Sequence, residues 1–184
     1  GIRQRGMAGR GDLPRLRIYC SEHAHSSVDK AAMTLGLGLE NVVHVACDAQ
    51  FRMRPDMLTR AIMADRAQGY RPLAVVAPAG TTSMPSVDPI AHLATVCQRE
   101  SLWLHVDGAY GGFAALTVEG RQALEGIGRA DSVSLDPHKW LYVPFECGSL
   151  LVRDPAALRE AFHILPDYLR DLGAAGKEVN FADY

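Results

Sequence analysis

The sequence has little of what marks several special classes of protein. Four of its 184 residues are cysteine, three are lysine, 7% are aromatic, and the formal net charge is −2. A charge this small argues against a general nucleic-acid partner, because binding phosphates requires a basic surface. No apolar run approaches the ~20 residues needed to span a bilayer, so we expect no membrane partner either.

The cysteines and the first residues indicate a reducing compartment. Cys20, Cys47, Cys97 and Cys147 form no CxxC pair, which argues against a zinc ribbon or a redox dithiol. Each lies in or beside an apolar run, where cysteine behaves as a small buried hydrophobe. Residues 1–11 are rich in Arg and Gly and lack the apolar core of a signal peptide. We therefore predict free thiols and a cytoplasmic protein.

Short apolar runs alternate with segments of helical period from residue 16 onward. We predict strands at residues 16–20, 41–47, 73–77, 102–106, 132–135 and 149–152. We predict helices that begin near Ser26, Pro55, Asp88, Gly112 and Pro155. This alternation predicts an α/β domain with a mostly parallel sheet flanked by helices.

Four polar clusters follow predicted strands, at residues 21–27, 78–83, 107–110 and 136–140. Ligands of open α/β sheets bind beyond the carboxyl ends of the strands. We therefore expect the four clusters to share one edge of the sheet and to form a binding site there.

Lys139 is the lysine with the most unusual neighbours. The chain has three lysines against sixteen arginines, and Lys30 and Lys177 fit an exposed helix face and a polar tail. Lys139 lies between His138 and Trp140, where an amine could be partly desolvated and act as a carbonyl nucleophile. Taken alone, it would be an ordinary surface lysine.

The other candidates are equally ambiguous alone. Asp107 ends an apolar strand, and the small Ala109 leaves room for a flat ligand, but an aspartate here also suits a helix cap. His25 fits a cap region or, with His23, a metal pair, although an HxH pair lacks a third and fourth ligand. Thr82 fits simple turn chemistry.

Together these residues predict a cofactor. Pyridoxal phosphate (PLP) requires a lysine for a Schiff base, a carboxylate for the pyridine nitrogen and an aromatic group to stack on the ring. The carboxylate keeps the nitrogen protonated, so that the ring accepts electrons from the α-carbon of the substrate. A metal hydrolase using His23, His25, Asp107 and His138 remains the alternative from a different class.

The sequence resembles the PLP-dependent group II amino-acid decarboxylases, the superfamily of aromatic-amino-acid and glutamate decarboxylases. The resemblance runs from about Tyr19 to the C-terminus and rests on SEHAHSSVDKA, APAGTTSMPSVDPI, LWLHVDGAYGG, ADSVSLDPHKWLYVPFECGSLLVR and LPDYLRD. It implies part of a fold-type I PLP-dependent transferase-like large domain at residues 16–165. Residues 1–15 would be a lead-in, and residues 166–184 a catalytic loop with the start of the next segment.

The resemblance implies catalytic and cofactor-binding roles, with no metal. Lys139 would carry the Schiff base, and Asp107 would pair with the pyridine nitrogen. His25 would stack on one ring face, with Ala109 on the other.

Four further residues are implied in the same way. Thr82 would lie near the ring substituents, His138 beside the phosphate or the substrate, and Asp136 near the phosphate. Tyr168 would protonate the α-carbon after CO₂ leaves. The implied reaction converts an L-amino acid to its amine and CO₂ in a homodimer.

Three alternatives within this fold stay open. Relatives with Phe in place of Tyr168 tend toward oxidative aldehyde synthesis, and an aminotransferase would need the same lysine and aspartate. A non-catalytic piece of a decarboxylase is the third, because residues 1–15 lack the Gly/Ser-rich turn that holds the phosphate in relatives. The small closing domain would follow Tyr184. We therefore expect the isolated chain to bind the cofactor weakly or not at all.

Overall fold

The structure, a computed structural model, describes residues 6–7, 10–81 and 84–162. The six strands of its sheet are β1 (Arg15–Ser21), β2 (Val42–Val45), β3 (Tyr70–Pro78), β4 (Trp103–Gly108), β5 (Ser132–Leu135) and β6 (Ser149–Val152). The helices of the described part are α1 (Ser27–Thr34), α2 (Pro55–Ala67), α3 (Ile90–Glu100), α4 (Val118–Ala123), α5 (Pro137–Trp140) and α6 (Pro155–Phe162).

The sheet has the strand order β2-β1-β3-β4-β5-β6. The four pairs from β2 to β5 are parallel, which confirms the predicted α/β class with a mostly parallel sheet. The chain runs outward from β1 to β2 and then returns to β3 on the other side of β1. Such a reversal opens a crevice at the carboxyl ends of β1 and β3, where ligands of this architecture bind.

The two faces of the sheet carry different helices. Val75 and Ala77 of β3 belong to the main core cluster with residues of α2 and α3. Val76, between them, packs instead against Cys20 and Ala32 in a second cluster that includes α1. Successive strand residues point to opposite faces. Therefore α2 and α3 cover one face, and α1 lies on the other.

The segment between Gly112 and Gly128 departs from the single predicted helix. It forms 3-10 turns at Gly112–Leu116 and Ile127–Arg129 with α4 between them. Thr117 is extended and interrupts the first turn, and its side-chain oxygen accepts the N–H of Gly120 to start α4. The segment after β5 forms α5, which the apolar pattern does not predict; Pro137 suits its first turn.

The chain divides into two units. Met7–Leu151 holds β1 to β5 and α1 to α5, and the other unit combines Gly1–Gly6 with Val152–Tyr184. Within the second unit the structure describes Gly6 and residues 152–162, which include α6. The boundaries proposed at residues 15 and 165 stay a prediction. Within the described ranges, no helix has the length and apolar character that crossing a bilayer requires.

Candidate active site

A cavity of about 710 Å³ lies at the carboxyl end of the sheet, on the face that carries α1. Alternate strand residues form part of its lining, among them Ala74 and Val76 of β3 and His105 and Asp107 of β4. Helix α1 contributes small side chains to another part. The volume falls within the ~300–1,000 Å³ typical of small-molecule sites.

Five of the predicted site residues line this one cavity: His25, Asp107, Ala109, Asp136 and Lys139. They come from the segments that follow β1, β4 and β5, or from the ends of those strands. Parallel strands bring these segments to one edge of the sheet. Pro78, Gly80 and Thr81, from the cluster at the end of β3, line the cavity as well, so all four predicted strand-end clusters contribute to it.

Asp107 is firmly held at the end of β4. Its Oδ1 accepts a hydrogen bond from Ser134 Oγ at 3.1 Å and another from the N–H of Ala109 at 3.2 Å. No donor among the described residues bonds its Oδ2. The carboxylate is thus oriented through one oxygen, and the other remains available to a ligand in the cavity.

Lys139 lies at the rim of the cavity, on α5. Its Nζ is 2.7 Å from Oδ2 of Asp136, and the two side chains are 38% and 21% exposed. The pair spans three positions of a short helix, a spacing that brings side chains together on one helix face. Asp136 therefore orients the amine; its predicted contact with a phosphate stays a prediction.

The two predicted histidines have different surroundings. Nδ1 of His25 accepts the N–H of Ser27 at 3.2 Å, which holds the ring at the start of α1. Nδ1 of His138 accepts the N–H of Cys147 at 3.1 Å, and His138 is not among the residues that line the cavity. Two other predicted site residues lie outside the described residues: Thr82 and Tyr168.

Several lining residues were not predicted from the sequence. Thr81, which precedes the predicted Thr82, lines the cavity. It is 5% exposed, and its Oγ1 has no hydrogen-bond partner among the described residues. An unpaired buried hydroxyl is costly, which favours a ligand that bonds it. His105 and Ser134 also line the cavity, and the period-2 spacing of Trp103, His105 and Asp107 could have identified that face.

Glycines let the loops at the cavity edge approach closely. The N–H of Gly111 donates to the carbonyl of Ala79 at 3.0 Å. A Cβ on Gly111 would lie 2.4 Å from that same oxygen, so a side chain at this position would separate the loops after β3 and β4. Gly80 has a φ of +98°, which also favours glycine.

The potential metal ligands that lie close together differ from those predicted for a metal hydrolase. Within the described part of the chain, the potential ligands that approach within 4.8 Å of one another are Glu22, His23 and Cys47. This group shares His23 with the predicted set but contains neither Asp107 nor His25. The described geometry therefore does not assemble the predicted hydrolase site.

Comparison with known proteins decides the family. Residues 3–182 match the pyridoxal-dependent decarboxylase conserved domain. The chain belongs to the pyridoxal-dependent decarboxylase family. The predicted family resemblance and its partial fold-type I domain are thus confirmed, and the cofactor of this family is PLP.

The relatives include enzymes for different amino acids. The chain is 38% identical over 173 residues to the aromatic-L-amino-acid decarboxylase of Bacillus atrophaeus, covering 94% of this chain and 36% of that protein. It is 40% identical over 169 residues to an acidic amino acid decarboxylase of Homo sapiens, covering 91% of this chain and 32% of that protein. The chain thus spans about a third of the length of these relatives.

The fold of this decarboxylase segment also matches solved structures. Oryza sativa TDC with PLP and tryptamine superposes with a TM-score of 0.87 at 35% identity, covering 99% of this chain and 38% of that chain. The apo form of mouse CSAD superposes with a TM-score of 0.85 at 38% identity, covering 99% and 36% respectively.

Proposed function

We propose that this chain carries the cofactor-binding part of an enzyme that decarboxylates an L-amino acid to the corresponding amine and CO₂. The observation that carries the proposal is that Lys139 and Asp107, distant in sequence, line one cavity at the switch point of the sheet. An amine and a carboxylate facing one cavity are the two groups that PLP chemistry requires of its protein.

The residues of the cavity fit PLP. The oriented carboxylate of Asp107 suits a protonated ring nitrogen, and the small side chain of Ala109 leaves space for a flat ring. The hydroxyl of Thr81, which has no partner within the described part of the chain, offers a hydrogen bond to a polar substituent. When bound, the cofactor supplies a ring that takes up the electron pair released as the substrate carboxylate leaves.

Asp107 and Lys139 would have separate tasks in this reaction. Asp107 would hold negative charge for the ring nitrogen of the cofactor and so would favour its protonated form. Lys139 would anchor the cofactor covalently. Its amine must lose a proton before it can react, and the ion pair with the Asp136 carboxylate at 2.7 Å orients it toward the cavity that both residues line.

The remaining roles rest on the family. His25 would stack on the ring opposite Ala109, and its bond to the Ser27 N–H supports a fixed ring plane. Tyr168 would deliver the proton to the α-carbon, Thr82 would contact the ring substituents, and His138 would lie near the phosphate or the substrate.

Substrate, assembly and location are proposals of the same kind. We infer an amino-acid substrate, since the relatives act on aromatic or acidic amino acids. A homodimer follows from the family resemblance. A cytoplasmic location is supported by the four cysteines, all of which are free.

Aldehyde synthesis is the second candidate function. One solved relative is the 4-hydroxyphenylacetaldehyde synthase of Rhodiola rosea, at 35% identity and a TM-score of 0.79. Position 168 is tyrosine here, which favours simple decarboxylation. Analysis of the products separates the two, since both release CO₂, but decarboxylation leaves the amine, whereas the oxidative alternative consumes O₂ and yields the aldehyde with ammonia.

Replacing the anchoring lysine tests the proposal. We expect Lys139→Ala, in the whole protein loaded with PLP, to lose the covalently bound cofactor and CO₂ release. Lys30→Ala, at an exposed position of α1, is the matched control and should retain both. Borohydride reduction followed by peptide mass spectrometry identifies the modified lysine. A Lys139→Ala protein that keeps both its cofactor absorbance and its turnover would refute the assignment.

A further inference from the structure

Three polar side chains form a hydrogen-bonded chain beside the Asp107 carboxylate. Trp103 Nε1 donates to Ser132 Oγ at 2.8 Å, and the same Oγ lies 2.8 Å from Nδ1 of His105. Trp103, His105 and Asp107 are alternate residues of β4, so their side chains share one face of the sheet. The proposed reaction gives no role to Trp103, Ser132 or His105.

The donors and acceptors of these three side chains determine which ring nitrogen of His105 carries the hydrogen. The indole nitrogen of Trp103 can only donate, so Ser132 Oγ must accept from it. If Nδ1 of His105 also carried a hydrogen, Ser132 would accept twice. Its own hydroxyl hydrogen would then lack an acceptor among the described residues, at a site where Ser132 is only 6% exposed. The satisfied arrangement has Ser132 donating to an unprotonated Nδ1.

We propose that Ser132, held by the Trp103 indole, fixes His105 as a neutral imidazole with its proton on Nε2. His105 is then a positioning residue that does not neutralise Asp107, which stays available to the nitrogen of the cofactor ring. The consequence for Asp107 rests on the proposed function, whereas the tautomer of His105 does not.

The surroundings of His105 support a neutral ring. Its neighbours in the sheet register are Val76 on β3 and Ser132 on β5, neither of which is charged. The ionisable groups that share its cavity are His25, Asp107, Tyr110, Asp136 and Lys139. Burial lowers the pKa of His105, and the charge of Asp107 opposes this shift without reversing it.

The register extends the same pattern to the carboxylate itself. His105 faces Ser132, and Asp107 faces Ser134, in consecutive pairs on one face of β4 and β5. Ser132 bonds the imidazole, and Ser134 bonds Oδ1 of Asp107. The two serines therefore have separable tasks, since Ser132 sets the histidine and Ser134 sets the carboxylate.

Nitrogen NMR of the histidine rings tests the tautomer directly. Long-range ¹H–¹⁵N spectra of protein labelled at histidine distinguish the two neutral tautomers from the charged form. The His105→Asn spectrum identifies the signals of His105 among the seven histidines. At neutral pH we expect the wild type to show a neutral ring with hydrogen on Nε2.

Three variants separate the proposed cause from a general loss of structure. Ser132→Ala should shift His105 toward the other tautomer or the charged form, and Ser132→Thr, which keeps the hydroxyl, should restore the wild-type pattern. Ser134→Ala is the matched control and should leave His105 unchanged. If Ser132→Ala fails to fold, Trp103→Phe, at a position 37% exposed, weakens the same restraint.

The cofactor gives a second measurement. With His105 able to become charged, Ser132→Ala should bind PLP several-fold more weakly below neutral pH, and the loss should diminish as pH rises. A wild-type ring that is charged or protonated on Nδ1, or a ring unaffected by Ser132→Ala, overturns the inference. This measurement uses the whole protein, and failure of the whole wild-type protein to bind PLP would instead overturn the proposed function and leave the tautomer result standing.

Discussion

The two faces of the sheet differ most clearly along β4, where neighbouring residues have opposite surroundings. Leu104 and Val106 are 1% and 0% exposed and belong to the main core. His105 and Asp107, each one residue further, are only partly buried and line the cavity. One strand thus supplies stability through one set of side chains and chemistry through the other.

This contrast explains why polar residues are tolerated in a central strand. On the face covered by α2 and α3, Leu104 and Val106 pack in the main core, where a polar side chain would need a partner to offset the loss of water. On the cavity face, Ser132 and Ser134 supply the partners of His105 and Asp107 across the β4–β5 pair. The two faces can therefore be perturbed separately, which the following predictions use.

The largest effect is expected on the covered face. Leu104→Ala should lower the free energy of unfolding by about 2–5 kcal/mol, because it removes a buried side chain and leaves a cavity. Leu116→Ala, at a position 69% exposed, is the control and should change stability by less than about 0.5 kcal/mol. Denaturant unfolding followed by circular dichroism measures both. Lost activity per folded molecule in Leu104→Ala would show that the faces are not independent.

A change on the cavity face should instead lower activity and leave stability nearly unchanged. Asp107→Asn should reduce turnover about a hundredfold or more, equivalent to ~2.7 kcal/mol of transition-state stabilisation, because it removes the charge beside the ring nitrogen. Its unfolding curve should stay close to that of the wild type. Asp56→Asn, an exposed carboxylate on α2, should retain full turnover. Steady-state kinetics on protein loaded with PLP decides the outcome.

The last effect is a change in the pH dependence of stability, and it concerns a buried carboxyl beside the main core. Asp88 is 3% exposed, its Oδ1 accepts the N–H of Met53 at 2.7 Å, and burial raises its pKa to about 7. An unfolded aspartate has a pKa of about 3.9, so the folded state binds more protons between these values. The stabilisation is complete below about pH 4 and is lost as pH rises through about 7.

Asp88→Asn should remove this pH dependence. One proton contributes at most about 1.4 kcal/mol per pH unit to the slope of unfolding free energy. The free energy of unfolding, measured from pH 4 to 8, should therefore decline less steeply with pH in Asp88→Asn than in the wild type. Glu125→Gln, at an exposed position, should keep the wild-type slope. Identical slopes for Asp88→Asn and the wild type would contradict a buried, proton-binding Asp88.

Much of the fold follows from local pattern. The apolar runs and their breakers located all six strands and the helices α1, α2, α3 and α6 to within a few residues. The prediction of a single helix from Gly112 to Gly128 was wrong. The interruption at Thr117 depends on a hydrogen bond and on close packing of Gly120 against Ala114. Such contacts are tertiary and leave no periodic trace in the sequence.

The candidate site likewise contains residues that the sequence predicts and residues that it does not. His25, Asp107, Ala109, Asp136 and Lys139 were predicted because each follows or ends a strand, and the sheet brings them to one cavity. Ser132 and Ser134 were missed because their importance lies in the register of β5 against β4, which sequence alone does not provide. Thr81 was missed because its burial, which draws attention to its hydroxyl, depends on tertiary structure and leaves no mark in the sequence.

The close contact at Gly111 has a consequence for mutational tolerance. Its backbone N–H touches Ala79, and no side chain fits between them. A saturation library at position 111 would therefore be depleted of every residue except glycine, although glycine contributes no reactive group. Intolerance at that position would measure how tightly two loops meet and would carry no information about chemistry.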